Sequence, residues 1–273
     1  MENILNFLNY SDFISEPFIA AHLGIKYELM TDNKGFKKND KSIVLFGVHD
    51  IDVFLNSYDK IKLMALSPAD RQFLKDRRII FNSFKIRSPF LLLTKEFFEL
   101  KGQRFKTLRR RINNYKNRNI EIFDSPLSSD DFERFLKEWK IQRQHAHFQI
   151  YISYDKNFYY NYAPKFLDSL ITKFFYLDGE LVGYSILEKV CDCCYNLLFH
   201  KALSCNVGFC LFMDFKMFEI IYQNEKNDFV VNMGSDSNEK GMLHYKTKSF
   251  PVEQRIFELY EATINTISSE RSN

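Results

Sequence analysis

The sequence is poor in glycine and proline and lacks any long apolar run. Only 9 glycines and 6 prolines occur among 273 residues, which excludes collagen-like and low-complexity chains. No apolar stretch reaches the ~20 residues that a membrane-spanning helix needs. The first residues, "MENILNFLNYSDF", are acidic rather than basic as in a leader peptide. We therefore expect a soluble globular chain with no transmembrane segment.

Cysteine is also scarce, and all of it lies in residues 191–210. The odd number of five and the lack of a secretory signal favour reduced thiols in a cytoplasmic protein. A zinc site would need a second Cys-x-x-Cys or Cys/His pair at ligand spacing, and the "CDCC" cluster has none. The sequence thus predicts no metal and no tightly bound cofactor. The five are Cys191, Cys193, Cys194, Cys205 and Cys210.

The charge is nearly balanced overall but unevenly distributed. A net charge of +3 is too small to indicate a nucleic-acid-binding protein by itself. The segment Lys101–Asn119, "KGQRFKTLRRRINNYKNRN", nevertheless carries eight Lys or Arg and no acid. Its apolar residues recur at helical spacing, which predicts an amphipathic helix. The helix either faces a polyanion, as the absence of acids favours, or is a solvated linker. The apolar residues are Phe105, Leu108, Ile112 and Tyr115.

Mixed helices and strands in residues 1–100 predict a small α/β unit. Residues Thr31–Lys41, "TDNKGFKKNDK", are polar and predict a loop. The predicted helices are Asn3–Phe13, Glu16–Leu23 and Pro68–Lys75. The predicted strands are Ser42–Val48 and Phe90–Thr94.

From residue 120 onward the pattern predicts the order β-α-α-β-β-β-α-β-α-β. Asp178-Gly179 is a strong two-residue turn signal between two strands. "NFYYNYAPKFLDSLI", residues 157–171, predicts the second helix of this order. The fold class is α/β (α+β), a mixed sheet flanked by helices. We divide the chain into an N-terminal unit (1–100), a basic linker helix (101–119) and a second domain (120–273).

Four segments carry a resemblance to a known family. They are "KGQRFKTLRRRINNYK", "YLDGELVGYSILE", "FHKAL" and "VVNMGSDSNEKGMLHYKTKSFP". In this order they resemble the C-terminal domain family of phosphatidylglycerol lysyltransferase and the Fem-type aminoacyltransferases, within the GNAT acyltransferase superfamily. Such proteins commonly pair two GNAT-like units, so the resemblance implies that residues 1–100 are a smaller, degenerate copy.

The resemblance implies transfer of an acyl or aminoacyl group from an activated donor, without a metal. The implied donor is acyl-CoA or aminoacyl-tRNA, and the implied acceptor is a small-molecule, lipid or peptide amine, or a hydroxyl. CoA-dependent members hold the pyrophosphate on a Q/R-x-x-G-x-G/A loop at a helix N-terminus. In "CNVGFC" Gly208 matches this pattern, but Cys205 and Cys210 depart from it.

Members that use aminoacyl-tRNA need a basic surface instead, because phosphate contacts supply most of the affinity for a polynucleotide. The basic helix is the predicted tRNA surface. The predicted donor-binding residues are Arg109, Arg110, Arg111, Lys201, Asn206 and Gly208.

The predicted catalytic residues all follow the strand "DFVVNM". They are Asp236, Tyr245 and Lys246. Asp236 is expected to hold or deprotonate the acceptor amine, or else to cap the following helix. Lys246 is expected to polarise the carbonyl or neutralise a phosphate, and Tyr245 to line the acceptor pocket or donate a proton. Lys248 reads as a surface lysine and His200 as a structural histidine.

Three functions remain open at this point. The first is a soluble acyl- or aminoacyltransferase. The second is an ordinary acyl-CoA-dependent N-acetyltransferase. The third, of another class, is a catalytically idle GNAT-fold module that binds RNA or a protein.

Overall fold

A computed structural model describes residues 4–23, 28–29, 35–39, 41–48, 51–142, 152–203, 208–236 and 240–266. Its α-helices are α1 (Glu16–Leu23), α2 (Ile51–Leu55), α3 (Pro68–Asp76), α4 (Lys95–Glu99), α5 (Lys106–Lys116), α6 (Ser129–Gln142), α7 (Ile152–Asn157), α8 (Phe209–Glu225) and α9 (Lys240–Lys248). Its strands are β1 (Glu28–Leu29), β2 (Gly35–Asn39), β3 (Ser42–Phe46), β4 (Lys60–Leu66), β5 (Asn82–Leu93), β6 (Ile120–Phe123), β7 (Leu170–Leu177), β8 (Glu180–Cys191), β9 (Cys194–Ala202), β10 (Phe229–Asn232) and β11 (Glu253–Asn265). Short 3₁₀ turns cover Ile4–Phe7, Tyr10–Phe13, Gln103–Phe105 and Ala163–Lys165.

The chain forms two compact units that alternate along the sequence. Unit 1 comprises Met1–Gly24, Pro89–Gly234 and His244–Arg255. Unit 2 comprises Ile25–Ser88, Ser235–Leu243 and Ile256–Asn273. The predicted division into 1–100, 101–119 and 120–273 follows the sequence order, whereas these units are interleaved. They interleave because β5 and β11 each begin in one unit and end in the other.

In unit 1 the strands lie in the order β5, β10, β9, β8, β7, β6. β10 and β9 are parallel, and the other neighbouring pairs are antiparallel. β7 and β8 join at Asp178 and Gly179, whose φ angles of 53° and 84° are those of a tight hairpin turn. The structure confirms this hairpin and the mixed sheet flanked by helices.

The basic helix of unit 1 packs its apolar stripe inward, as its periodicity predicts. Phe105, Leu108, Ile112 and Tyr115 are all buried. The Tyr115 ring lies 5.2 Å and 5.4 Å from two aromatic rings of α8, measured between ring centroids. The burial of this stripe fixes α5 against α8 and turns the basic residues of α5 away from the core.

Helix α6 is fixed by a cap and by aromatic packing. Asp131 N donates to Ser128 Oγ over 3.1 Å, which satisfies a backbone donor that the first turn leaves open. The next residue, Phe132, packs its ring edge-on against the rings of Phe174 and Tyr184, with centroid distances of 5.5 Å and 5.2 Å. These contacts hold α6 on the sheet through β7 and β8.

In unit 2 the strands lie in the order β1, β2, β3, β4, β11, β5. β3 and β4 are parallel and joined through α2, while β4 and β11 are antiparallel. Helix α3 confirms the prediction for Pro68–Lys75. A capping box holds its N-terminus, because Asp70 N donates to Ser67 Oγ (3.1 Å) and Ser67 N donates to Asp70 Oδ2 (2.8 Å).

Three sequence predictions differ from the structure. The helix predicted for Asn3–Phe13 is two short 3₁₀ turns, Ile4–Phe7 and Tyr10–Phe13. The loop predicted for Thr31–Lys41 contains β2, which forms a hairpin with β3, because strand pairing needs only backbone groups and tolerates polar side chains. The helix predicted for residues 157–171 is interrupted. A π-turn at Phe158–Tyr162 and a 3₁₀ turn containing Pro164 end it, and β7 begins at Leu170.

Among the helices of the described residues α8 is the longest, with 17 residues, and it lies in the core of unit 1. Over the ranges that the structure covers, no helix is both long and apolar enough to cross a membrane.

Candidate active site

The parallel strands β9 and β10 pair briefly and then separate. Their pairing ends at Asn196 with Asn232, the last residue of β10. β9 continues to Ala202 alongside β8, and Leu198 bulges out of that pairing. Ligands of open α/β sheets bind beyond the carboxyl ends of strands, and bulges are common beside active sites. The end of β9 is therefore where a site is expected.

Four polar side chains meet at this end of β9, and we call them the His200 cluster. They come from β8 (Ser185), β9 (His200), α8 (Asp214) and α9 (Tyr245). His200 Nδ1 lies 2.8 Å from Ser185 Oγ and 3.1 Å from Asp214 Oδ1. Tyr245 Oη donates to Asp214 Oδ2 over 2.5 Å. Asp214 is fully buried, so its charge acts on these neighbours with little screening by water.

The contacts with Asp214 and Cys210 favour the charged form of the His200 imidazole, whereas burial and Lys246 oppose it. Burial alone lowers the pKa of His200, but the charge of Asp214 and the neighbouring Cys210 raise it to about 9. Burial raises the pKa of Asp214, although His200 and Tyr245 favour its carboxylate. Burial and Asp214 also raise the pKa of Tyr245 well above its usual value, so the phenol keeps its proton.

Lys246 brings a second cation to the His200 cluster. Its Nζ donates to Gly234 O over 3.0 Å, and its charge acts on both His200 and Asp214. Five buried side-chain atoms of the described residues have no hydrogen-bond partner, among them His200 Nε2, Asp155 Oδ1 and Asp214 Oδ1, the last of which still forms the ion pair with His200 Nδ1. Two cations face one carboxylate, an arrangement that suits a developing negative charge.

The N-terminus of α8 adds a third positive element. Gly208 caps α8 with a φ of 85°, which favours glycine, and a Cβ placed there would lie 3.6 Å from Arg111 Cβ. The Arg111 side chain therefore lies beside the first turn of α8, where backbone N–H groups and the helix dipole attract anions. Gly208 and Arg111, both predicted to bind the donor, are thus brought together.

The other two arginines of the triplet lie differently. Arg109 Nη1 donates to the carbonyl oxygens of Leu100 and Gly102, beyond the end of α4, so its guanidinium is held by the backbone. Arg110 is exposed. Arg110 therefore presents its charge to solvent, whereas Arg109 secures a turn of the chain.

Lys201 lies on the other side of β9 from His200, because successive residues of a strand alternate in direction. Its Nζ pairs with the Asp155 carboxylate and lies 4.6 Å from the Trp139 ring centroid. Tyr184 Oη donates to the same Asp155 oxygen over 2.5 Å. Burial lowers the pKa of Lys201 and raises the pKa of Asp155, and each partner opposes the shift of the other.

The predicted catalytic residues divide between the units. Tyr245 and Lys246 belong to unit 1 and meet at the His200 cluster. Asp236 belongs to unit 2 and is fully buried. Its carboxylate accepts from Arg87 N (2.9 Å) and Arg87 Nε (2.8 Å), and Asp236 N donates to Arg87 O (2.8 Å). Asn206, predicted to bind the donor, lies outside the described residues.

Sequence reasoning passed over two residues of this site. The sequence favours a structural role for His200, and no motif in it points to Asp214. The available signal was an isolated acid in the apolar helix "FCLFMDFKMFEII". An acid in such a surrounding must find a buried partner, which makes it a functional candidate.

Comparison with known proteins places this geometry in a familiar fold. No protein-family model matches the sequence, and no curated protein matches it. Among solved structures, the C-terminal domain of a putative lysylphosphatidylglycerol synthetase from Agrobacterium fabrum is 12% identical, with a TM-score of 0.59 over 91% of this chain and 87% of that one. FemX is 11% identical, with a TM-score of 0.54 over 93% and 96%.

A tandem GNAT protein from the clavulanic acid biosynthesis pathway is 7% identical, with a TM-score of 0.53 over 85% of this chain and 77% of that one. At these identities the likeness concerns the fold. The chain therefore has a GNAT-like fold, and it resembles the lysylphosphatidylglycerol synthetase domain and FemX as the sequence segments implied.

Proposed function

We propose that the protein is an acyl- or aminoacyltransferase that moves the acyl group of an activated donor to an amine or hydroxyl acceptor. The observation that carries this proposal is the His200 cluster with Lys246, located where β9 leaves β10. Buried charges and open hydrogen-bonding atoms are costly to a fold that does not use them. Their convergence at a strand end supports a site for chemistry.

The chemistry of acyl transfer fits the charges of this site. Attack on an ester or thioester carbonyl places negative charge on the carbonyl oxygen, and positioned cations stabilise that charge. Lys246 and the His200 imidazolium are the groups that we assign to this role. Tyr245 acts through Asp214, because its hydroxyl proton is already donated to that carboxylate. We therefore treat Tyr245 as a positioning residue.

We favour aminoacyl-tRNA as the donor over acyl-CoA. Helix α5 presents four basic residues for which the described part of the chain offers no ion-pair partner, and such a surface binds a phosphate backbone. The pyrophosphate loop of CoA-dependent members expects a small residue where this chain has Cys210. The four basic residues are Lys106, Arg110, Arg111 and Lys116.

An idle RNA-binding module would use the same basic helix, so binding alone does not distinguish the two functions. The experiment is turnover. The full chain is incubated with a panel of aminoacyl-tRNAs and acyl-CoAs and with amine acceptors (polyamines, peptides and phosphatidylglycerol vesicles), and mass spectrometry follows the acyl group.

We expect one donor class to lose its acyl group to an acceptor. Lys246→Met should lower the rate by about 10²–10³-fold, the usual cost of removing one oxyanion donor. Lys248→Met is the matched control, because Lys248 lies on the same helix but is exposed. Binding of tRNA without loss of the acyl group from any donor would instead show an idle module.

A further inference from the structure

Three buried polar residues lie side by side across the inner strands of unit 1. Glu188 on β8 is the register partner of Asn196 on β9, and Asn196 is the register partner of Asn232 on β10. Asn196 Nδ2 donates to Glu188 Oε2 over 3.0 Å, and Asn232 Nδ2 donates to Asn196 Oδ1 over 2.9 Å. All three residues are at most 3% exposed. We call them the polar row.

The polar row fixes the orientation of both of its amides. At one end, the Glu188 carboxylate and the carbonyl oxygen of Phe13 accept the hydrogen bonds of Asn196 Nδ2. The amide oxygen of Asn196 therefore faces Asn232 and accepts from its Nδ2. The amide oxygen of Asn232 is left for Gly234 N, which donates to it over 3.0 Å. Because an amide donates from its nitrogen alone, the acceptors at one end determine which atom meets Gly234 at the other.

Gly234 connects the polar row to the candidate active site. Its backbone is left-handed, with a φ of 71°, and the bond from its N–H to Asn232 Oδ1 closes a turn of the kind that asparagine side chains stabilise. Its carbonyl oxygen accepts from Lys246 Nζ over 3.0 Å, and a Cβ built at Gly234 would lie 3.6 Å from the same nitrogen. The conformation of this turn therefore sets where the Lys246 ammonium lies.

A purely structural role explains one end of the polar row better than the other. Ser15 Oγ donates to Glu188 Oε2 over 2.6 Å and Asn196 Nδ2 donates to Phe13 O, so this end ties the N-terminal segment to the sheet. Asn232 is instead the last residue of β10, where β9 and β10 part. A buried amide is costly unless its hydrogen bonds are used, and Asn232 uses its oxygen to secure the turn beside the active site.

We propose that Asn232 is a positioning residue for acyl transfer: its side chain fixes the turn at Gly234, whose carbonyl oxygen holds the Lys246 ammonium at the His200 cluster. This inference rests on the proposed function, in which Lys246 stabilises the negative charge that develops on the donor carbonyl oxygen. A lysine side chain has many rotamers, so a fixed acceptor preorganises its charge before the reaction begins. Lys246 supplies the charge, and Asn232 determines where that charge lies.

The first experiment needs no substrate. Lys246 lowers the pKa of His200, so displacement of the Lys246 ammonium should let the pKa of His200 rise above its value of about 9. The full chain is prepared with isotope-labelled histidine, and NMR follows the titration of the imidazole. His200→Gln identifies the signal, and Lys246→Met gives the pKa of His200 in the absence of the cation.

Two substitutions of the same shape isolate the hydrogen bond to the turn. Asn232→Thr keeps a side-chain oxygen that can accept from Gly234 N, and Asn232→Val lacks it, whereas both lose the amide nitrogen that bonds Asn196. We expect Asn232→Val to raise the pKa of His200 by at least half of the rise measured in Lys246→Met. Asn232→Thr should stay close to the wild type.

Tyr184→Phe controls for the loss of a buried hydrogen bond, because its hydroxyl bonds Asp155 on the face of the sheet opposite His200. It should leave the pKa of His200 at the wild-type value. Thermal melts check that each variant is folded, and Asn232→Ser with Asn232→Ala form a second, smaller pair if Asn232→Val does not fold. A wild-type pKa of His200 in folded Asn232→Val or Asn232→Ala would overturn the proposal, and so would equal rises in both members of a pair.

The second experiment measures transfer from a donor found active under the proposed function. We expect Asn232→Val to lower kcat by about 10²-fold, the effect of a small displacement of a catalytic group, with a smaller change in KM. Asn232→Thr should recover most of this loss. In the Lys246→Met background, Asn232→Val should have no further effect on the rate, because Asn232 acts through Lys246.

The two proposals can fail separately. An equally large further loss from Asn232→Val in the Lys246→Met background would overturn the positioning role of Asn232 and leave the proposed function standing. If the wild-type chain transfers from no donor, the proposed function fails. The His200 titration then still decides whether Asn232 positions Lys246.

Discussion

The two faces of β9 carry two buried acid-base groups that differ in how many cations act on the carboxylate. On one face Lys201 and Asp155 pair one to one, and Tyr184 donates to the same carboxylate. On the other face His200 and Lys246 both act on Asp214. In the first arrangement one cation meets one carboxylate, and in the second two cations act on one carboxylate.

The surroundings follow the same division. The Lys201 ammonium lies over an aromatic ring, which adds a favourable interaction to the ion pair. The His200 cluster instead adjoins a partly exposed thiol and a helix N-terminus. A buried ion pair packed under an aromatic ring serves the fold, whereas cations beside a helix N-terminus and a partly exposed side chain are suited to an anion from outside. This contrast favours His200 rather than Lys201 as the place of the chemistry.

The largest expected effect comes from breaking the ion pair of Lys201 with Asp155. Lys201→Ala leaves the buried Asp155 carboxylate without its cation, and we expect a loss of about 3–5 kcal/mol in the free energy of unfolding. Urea denaturation measures it. The double variant Lys201→Met with Asp155→Leu should recover most of this loss, because it removes both charges. A loss below ~1 kcal/mol for Lys201→Ala would contradict a structural role for the pair.

The His200 cluster should make the free energy of unfolding depend on pH. The pKa of His200 is raised from its usual 6.5 to about 9, so its contribution is fully present below pH 6.5 and is lost as the pH rises through 9. The groups that face His200 are Asp214, Cys210, Lys246 and Ser185. We expect a fall of about 1–3 kcal/mol in the free energy of unfolding between pH 6.5 and 9.

The control for this titration is His200→Gln, which cannot titrate. The difference in unfolding free energy between the wild type and this variant isolates the histidine from other groups that ionise over the same range. A constant difference from pH 6.5 to 9 would contradict the raised pKa of His200.

A third buried carboxylate, that of Asp236, pairs with a cation that is partly hydrated. Its loss should therefore cost less than the loss of a pair in which both partners are buried. Asp236 is fully buried, but the Arg87 side chain is 33% exposed. We expect Asp236→Asn to cost about 1–2 kcal/mol, since the amide retains one acceptor for Arg87 N and water solvates the guanidinium. Thermal melts measure this loss. Asp228→Asn is the control, as Asp228 is exposed.

Transfer assays on the same variants decide between roles for Asp236. A fall in turnover of Asp236→Asn far beyond its loss of stability would support the predicted role with the acceptor amine. Unchanged turnover would leave Asp236 as the partner of Arg87.

The sequence predicted elements that depend on local rules. The Asp178-Gly179 turn follows from backbone preferences, and the apolar stripe of α5 follows from helical periodicity. Strand β2 was not predictable in this way, because its pairing with β3 overrides a polar composition. The helix predicted for residues 157–171 ends early for a related reason, since Pro164 lies in its last 3₁₀ turn and the sheet takes up the chain from Leu170.

The candidate site was predictable only in part. Tyr245 and Lys246 were identified because they lie in a segment that resembles a family. Their partners were not, because Tyr245 and Asp214 are 31 positions apart and meet only through the packing of α8 and α9. No local pattern in the sequence reports such a contact, so the importance of His200 became visible with the structure.

The hydrogen bonds of the N-terminal segment set a limit on how early unit 1 can be completed during synthesis. Arg255 Nη1 donates to the carbonyl oxygens of Leu5 and Leu8 (2.7 and 2.9 Å), and Asn196 Nδ2 donates to Phe13 O (2.9 Å). At ribosomal rates of ~5–20 residues per second, the first residues wait roughly 10–50 s for Arg255 to be made. During that interval Leu5 and Leu8 are without the hydrogen bonds that Arg255 later donates, so the completion of unit 1 waits for the synthesis of β11.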